Sequence, residues 1–486
     1  MNTLPLRAEE GMALAPLVVD LDGTLTLTDT LWESVVRAWK AQPSSLLRMP
    51  LWLWRGRAFF KDRVAALTTC RVDLLPLNDA LMEYLGAQRE QGRAVILATA
   101  ANQRIARAFA DYHKLFDDVI ASNEEHNLKG AAKLAAIRER VGDRFVYVGD
   151  SHADLPIWRA AEAAVFAGVS PAVRRALNPD VKVERDFPRP RAGWTTWRRA
   201  LRMHQWLKNL LVFVPLLTSF SFSAQAWTAA TVAFLAFSAV ASATYLVNDL
   251  FDLDNDRQHE RKRHRPLASA IIAIPHAALA SFLLLGVGFG IGAILGLKFT
   301  LLLSLYVVAT SAYSWVLKRY MLADVLSLAF LYTLRIFAGG VALGVQLTSW
   351  LLAFSAFLFL SLALIKRCAE LVTLESQGLY AAAGRGYAVD DLRVLWPLGT
   401  SAGMAAVIVF GLFISAETTR QRYASPEFMW GAGFALVYWL ARLWVKTSRG
   451  EMHDDPIVYA LKDTNSRVTV GFMVGATLAA YLLELP

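Results

Sequence analysis

Two sets of carboxylates in this chain have the residue types and spacing for chemistry. The first lies in Asn248–Pro266, NDLFDLDNDRQHERKRHRP, at the end of the apolar run Ala226–Leu246. An Asp at the centre of a membrane helix costs roughly 2.5–3.5 kcal/mol, and less near the surface. Asp249, Asp252, Asp254 and Asp256 together therefore need an offset, and a divalent cation supplies one. If the helix continues, Asp249, Asp252 and Asp256 stand at i, i+3 and i+7 and fall within an arc of roughly 60°. Asn248 lies beside them and Asp254 points away. Three carboxylates and an amide on one face suit Mg²⁺, a hard ion that usually also takes substrate phosphate as ligand. The cations Arg257, Arg261, Lys262, Arg263 and Arg265 follow at once, so the stretch reads as metal plus phosphate. A solvated, salt-bridged membrane anchor would account for the arginines but not for the one-sided aspartates.

The second set is N-terminal. Leu17-Val18-Val19 reads as a buried strand that delivers Asp20-Leu21-Asp22-Gly23-Thr24-Leu25-Thr26 into a loop. A second strand, Ala94 to Ala98, ends at Thr99, and a third, Phe145 to Val148, ends in Gly149-Asp150-Ser151-His152-Ala153-Asp154. Helical stretches between them predict an α/β, doubly wound parallel sheet, with the acids converging on the crevice at its carboxyl edge.

Asn248-Asp249-x-x-Asp252-x-x-x-Asp256-Arg257 after an apolar span resembles the first aspartate-rich motif of the UbiA superfamily of intramembrane prenyltransferases, over about Trp197 to Pro486. From about Pro16 to Val183 the chain resembles the haloacid dehalogenase superfamily, in particular its phosphoserine-phosphatase-like branch. That second resemblance implies Asp20 as the nucleophile and Asp22 as general acid/base, with Thr99 holding phosphoryl oxygens. Asp20 and Asp150 would bind Mg²⁺ with Asp154 in support, and Asp22 is counted with the metal set. The family's lysine is Lys129, which fits the distance from Asp150 better, or Lys133, one helical turn on. Metal and lysine together neutralise two anions so that a carboxylate attacks a phosphate.

The 486 residues divide into a soluble-looking first 190 and a series of apolar runs. A net charge of +9 in such a chain indicates basic cytoplasmic loops and anionic lipid or phosphate, not nucleic acid. Cys70 and Cys368 are isolated, so no disulfide is expected, and Glu9 and Glu10 argue against a cleavable signal peptide. The expected domains are 1–185 (phosphatase-like), 186–206 (linker, from the prolines and charges of Asn178–Gly193, and interfacial segment) and 207–486 (an all-α membrane domain). Residues 30–85 would form a small helical cap. Its run Leu46–Trp54 is apolar enough either to fill the cap core or to touch a bilayer surface.

About nine spans are expected, beginning near Leu207, Ala226, Ala273, Thr300, Ala323, Ser349, Leu395, Phe428 and Val468. Basic loops after the even-numbered spans place the N-terminal domain and both active sites on the cytoplasmic side of a bacterial inner membrane. Lys208 and Asn209 would sit at the mouth of the first span, Lys208 as an anchor or as a phosphate contact.

Tyr313 and Lys318-Arg319 match the UbiA pattern after the fourth span, but Lys366-Arg367-Cys368-Ala369-Glu370-Leu371 stands where a second aspartate motif is usual. That departure, together with Arg335 and the glycines Gly339-Gly340, is similar to one subgroup, the decaprenyl-phosphate phosphoribosyltransferases. The subgroup implies phosphoribosyl diphosphate and a polyprenyl phosphate as substrates. Asn248, Asp249, Asp252 and Asp256 would hold Mg²⁺ on the leaving diphosphate. Arg257, Lys208, Tyr313, Lys318, Arg319, Lys366, Arg367 and Glu370 would form the substrate surface. A fused phosphatase would then remove the product's 5′-phosphate. The alternative is an aromatic-substrate polyprenyltransferase using a polyprenyl diphosphate, with a phosphatase of separate role.

Overall fold

The computed structural model describes residues 14–177, 179–381, 385–452 and 455–484, so Glu9, Glu10 and Asn178 lie outside the described residues. The chain forms two compact units. One runs to Leu201 and takes in Tyr245–Ala280; the other comprises Arg202–Thr244 and Ser281–Pro486. The aspartate-rich stretch thus belongs to the same unit as the N-terminal α/β fold.

That fold is a six-stranded sheet in the order β3-β2-β1-β4-β5-β6. Its strands are β1 (Leu17–Val19), β2 (Val95–Asn102), β3 (Asp118–Ser122), β4 (Val146–Gly149), β5 (Ala163–Ala167) and β6 (Val183–Phe187), and every pairing is parallel. Side chains alternate between two cores. Leu17, Val19, Leu97 and Val148 pack with Phe109 on one face, whereas Val18, Ile96, Ala98 and Tyr147 pack with Trp158 on the other. Burial on both faces is why these strands read as continuous apolar runs. Strand order reverses at β1, with β2 on one side and β4 on the other, and the loops after β1 and β4 diverge to leave a crevice. The stretch expected as linker contains β6, so the sheet extends to Phe187 and irregular chain begins with Pro188.

The cap is three helices, Thr30–Ala41, Ser45–Trp54 and Arg57–Leu67, packed around Ala38, Met49 and Val64. Met49 fills this core, but Leu47 and Trp54 are 85% and 86% exposed, so only part of the apolar run is cap interior.

Among the described residues, seven helices are long and apolar enough to cross a membrane, not the nine expected: Ala224–Phe251, Ile274–Ile294, Leu297–Arg319, Ala323–Leu343, Ser349–Ser376, Val389–Ser415 and Pro426–Ser448. The segment near Leu207 is instead a 3₁₀ helix, Met203–Phe213, followed by the five-residue helix Val214–Thr218, which Pro215 starts afresh. The last helix, Thr464–Leu482, is 19 residues long, but Thr, Asn, Ser, Arg and Gly dilute its apolar content. Gly339 lets Ala323–Leu343 lie against the 3₁₀ segment; a Cβ there would run into the Val212 carbonyl.

Candidate active sites

The crevice beyond β1 and β4 is a cavity of about 370 Å³ lined by Asp20, Asp22, Lys61, Lys129, Lys133, Asp150, Asp154 and Arg189. Asp20 is held at both oxygens: the Leu21 amide donates to Oδ1 (2.8 Å) and Lys133 Nζ to Oδ2 (2.8 Å). Lys133 also donates to Tyr147 Oη (2.9 Å), which donates to Asp154 Oδ1 (2.8 Å). The other Asp154 oxygen accepts from Ser151 N and Ser151 Oγ at 3.0 and 2.9 Å. Of the two candidate lysines, the structure therefore sets Lys133 on Asp20, the expected nucleophile, whereas Lys129 is exposed on the cavity rim. The reason is the helix Ala131–Val141, whose inward face buries Lys133 with Ile137. Lys133→Met is expected to lower phosphomonoester hydrolysis by about 10³-fold. Lys129→Met should change it by less than about tenfold, since an exposed rim charge is screened. Steady-state rates of both variants decide between the two lysines.

Oxygens of Asp20, Asp150 and Asp154 lie within 4.8 Å of one another, and among the described residues only this group meets that spacing. Gly23, at φ +78°, makes room for it, since a Cβ there would strike the Asp150 carboxylate. Burial raises Asp20 above the usual carboxylate range, and burial with the neighbouring Asp20 charge pushes Asp150 up to about 8. Three buried carboxylates at this spacing, with one lysine among them, fit Mg²⁺ by donor type and by charge. Asp22 stands outside that group. Its Oδ1 accepts from the Thr30 amide (2.8 Å), and burial, then the Asp29 charge, push it up to about 8. That shift favours the protonated form, the state a general acid needs. Thr99, expected at the phosphoryl oxygens, is instead fully buried and does not line the cavity, its hydroxyl accepting from the Ala101 amide at 3.0 Å.

In the stretch Tyr245–Ala280 of the same unit, the helix that began at Ala224 ends at Phe251, breaks for one residue at Asp252 and resumes as Leu253–Gln258. The bonds from Asp252 N to Asn248 O (2.9 Å) and from Asp256 N to Asp252 O (2.8 Å) carry the helical register across. Asp249 and Asp256, each 3% exposed, therefore share a face, and Arg265 Nη1 spans them at 3.3 and 2.7 Å. Asn248 Nδ2 donates to Asp252 Oδ2 at 3.2 Å. An all-oxygen set already ordered round a positive charge fits Mg²⁺. Arg257, expected at phosphate, instead lies about 100° round the helix from Asp256 in a buried pair with Glu33 (2.7 Å).

In the other unit, Lys208 and Lys366 both donate to Asp455 Oδ2, at 2.7 and 3.0 Å, and Tyr332 Oη donates to the same oxygen at 3.2 Å. The two lysines hold the Asp455 carboxyl well below its ordinary range although burial alone would raise it. Asp455 caps the helix Pro456–Lys462 through the Ile457 amide. Asp455→Asn leaves two lysines facing each other without an anion. It should cost about 3 kcal/mol or more of stability, read as a lowered Tm in detergent.

Arg367 is next to Lys366 in sequence but about 100° round the helix. It is wholly buried against Asp324 and Glu370, with Tyr387 donating to the same Asp324. It was expected on the substrate surface; the packing of Ser349–Ser376 against Ala323–Leu343 turns it into an interhelical ion pair. Glu370, paired also with Arg385 at 3.3 Å, belongs to that network. Arg335 donates to Asn209 Oδ1 (2.9 Å), Tyr306 Oη (3.0 Å) and Leu331 O (2.5 Å), so its charge is matched inside the bundle. Tyr313 is in the last turns of the helix Leu297–Trp315, and Lys318 and Arg319 are on the separate 3₁₀ turn after it.

A profile of the UbiA prenyltransferase family matches residues 212–462. The chain belongs to the UbiA prenyltransferase family. A profile of haloacid dehalogenase-like hydrolases matches residues 17–159, so the UbiA member carries a haloacid dehalogenase-like domain at its N-terminal side. The chain is 37% identical to "Uncharacterized protein y4nM" of Sinorhizobium fredii over 96% of its own length and 90% of that protein's. It is 36% identical to "Nodulation protein NoeC" of Azorhizobium caulinodans over 59% of this chain and 94% of the relative. It is also 32% identical to a "Decaprenyl-phosphate phosphoribosyltransferase" of Mycobacterium tuberculosis, over 44% of this chain and 72% of that one. The UbiA member is thus a polytopic membrane enzyme with a fused hydrolase-type domain.

Proposed function

We propose that this UbiA enzyme transfers 5-phosphoribose from phosphoribosyl diphosphate to a polyprenyl phosphate, and that its N-terminal domain then removes the 5′-phosphate. The observation that carries the reading is that the aspartate-rich helix and the phosphatase cavity belong to one compact unit of a chain whose membrane part is similar to decaprenyl-phosphate phosphoribosyltransferases.

In the first step the bond from ribose C1 to the diphosphate oxygen breaks, and a lipid phosphate oxygen takes that carbon. The nucleophile is already ionised, so the step needs no general base. Asp249, Asp252 and Asp256, with Asn248, would hold Mg²⁺, which neutralises the leaving diphosphate. Lys208 and Lys366, with Lys318, Arg319 and Tyr313 on their own elements, supply the cationic and hydrogen-bonding surface for phosphate. Positioning and charge neutralisation account for most of the rate.

In the second step Asp20 attacks the 5′-phosphorus, and Asp22 gives its proton to the departing ribose O5′. Asp22 then takes a proton from water, whose oxygen attacks the aspartyl-phosphate, releases phosphate and restores Asp20. Lys133 holds the phosphoryl oxygens, and Asp20, Asp150 and Asp154 would hold the Mg²⁺ that neutralises them. By the positive-inside rule the basic loops support a cytoplasmic setting for both sites, at a bacterial inner membrane.

The test uses the full chain in detergent with phosphoribosyl diphosphate, a polyprenyl phosphate and Mg²⁺, with lipids read by mass. Ribosyl lipid without the 5′-phosphate is expected, and a chelator should stop its formation until Mg²⁺ is restored. Failure to consume phosphoribosyl diphosphate would overturn the reading.

A further inference from the structure

The face of the aspartate-rich helix that looks away from Asp249 and Asp256 is partly covered. It is held by the first helix of the phosphatase cap, Thr30–Ala41. Arg257 reaches Glu33 with both terminal nitrogens, at 2.7 and 3.1 Å, and its Nε donates to Ala268 O at 3.0 Å. One turn along, Arg37 makes the matching two-pronged pair with Asp254, at 2.8 and 3.2 Å, and stands 3.4 Å from Glu33. At the end of the same helix Lys40 donates to the Phe251 carbonyl (3.2 Å), and the Trp39 ring meets the Phe251 ring edge-on, 4.1 Å between centroids. Glu33 and Arg257 are 1% and 6% exposed at their side chains.

Such an arrangement adds little to stability, because the desolvation of each ion offsets much of the attraction. What two bidentate pairs do supply is direction: planar forks fix both the distance and the rotation of the partner helix. Rotation is the freedom that matters here. The helix is interrupted at Asp252, where two backbone bonds alone carry the register, and pairs that hold Leu253–Gln258 against turning about that joint add the restraint that keeps Asp256 on the face of Asp249. Arg265 ties the two aspartates on one side, and Arg37 and Glu33 tie the helix on the other.

The geometry points to the cap helix Thr30–Ala41 as a positioning element of the transferase, with Arg37 and Glu33 as the residues that orient the aspartate-rich motif through Asp254 and Arg257. This rests on the reading that Asp249, Asp252 and Asp256 serve the transfer. On this account the phosphatase domain has two duties, hydrolysis in its cavity and alignment of the motif from its cap. Arg37 does not line the cavity, so the duties are separable by mutation.

The experiment compares full-length wild type with Arg37→Gln and Arg37→Lys in detergent. Arg37→Gln is expected to raise KM for phosphoribosyl diphosphate at least tenfold with kcat changed less than threefold. Hydrolysis of a small phosphomonoester should change less than twofold. Amide hydrogen exchange across residues 252–258 should quicken at least tenfold, and Arg37→Lys, which keeps the charge, should recover part of both effects. Wild-type KM and wild-type exchange in Arg37→Gln would overturn the proposal. If Arg37→Gln does not fold, Asp254→Asn, which loosens the same pair from the other side, decides on the same readouts. If wild type consumes no phosphoribosyl diphosphate, the functional reading fails by itself. The exchange measurement then still decides whether the cap helix orients the motif.

Discussion

Asp20→Asn is expected to stop the second reaction and leave the first. The substitution keeps the side chain's size and its bond from the Leu21 amide but removes the nucleophilic oxygen that Lys133 faces at 2.8 Å. Loss of a nucleophile of this kind lowers turnover by about 10⁴-fold or more, because the residual rate comes only from binding and charge stabilisation. Phosphoribosyl diphosphate should still be consumed at a near wild-type rate. The lipid product should then accumulate with its 5′-phosphate, one phosphate heavier by mass than the wild-type product. Fully dephosphorylated lipid from the Asp20→Asn protein would refute the assignment of the cavity to this step.

Asp256→Asn is expected to have the opposite signature, with transfer falling by about 10³-fold and phosphomonoester hydrolysis kept. Asp256 is the carboxylate nearest Arg265, at 2.7 Å, and the second member of the face that begins with Asp249. Removing one charge leaves Arg265 on Asp249 alone and weakens the set for a divalent ion. The loss should be partly recovered by raising Mg²⁺, as expected when a ligand rather than a structural prop is removed. Label transfer from phosphoribosyl diphosphate to lipid measures it, beside the same protein's hydrolysis of a soluble phosphomonoester. Equal loss of both activities would show a folding defect instead. Asp254→Asn is a useful contrast, since Asp254 faces Arg37 rather than the motif's carboxylate face.

Much of this arrangement is legible in the sequence. Short apolar strands ending in acids are a local signal, and their order located β1, β4 and the crevice between them. The one-sided spacing of Asp249, Asp252 and Asp256 survives the break at Asp252 because two backbone bonds carry the register through it. What stayed hidden depends on contacts between residues far apart in the chain. Lys129 and Lys133 are equivalent by spacing, and only the packed face of the helix Ala131–Val141 separates them. Arg257 belongs to a basic run, but its partner Glu33 is 224 positions away. Arg367 adjoins Lys366, yet helical rotation sends one to Asp324 and the other to Asp455. Asp455 carried a faint signal, an Asp before a Pro at a helix start, in a loop otherwise notable for positive charge. The first expected span failed for a different reason: its composition is apolar enough, but Pro215 and the 3₁₀ geometry before it make a short, divided element.

Arg335 also bears on how the chain is made. Its guanidinium is matched by Asn209, Tyr306 and Leu331, and all three precede it in the sequence. When the ribosome delivers the helix Ala323–Leu343, every group that will satisfy the charge has already been synthesised. A lone Arg in a nascent apolar helix is a burden on insertion. Here it can be shed at once onto segments that have gone before, so the order of synthesis is also an order in which the bilayer need never solvate that charge alone.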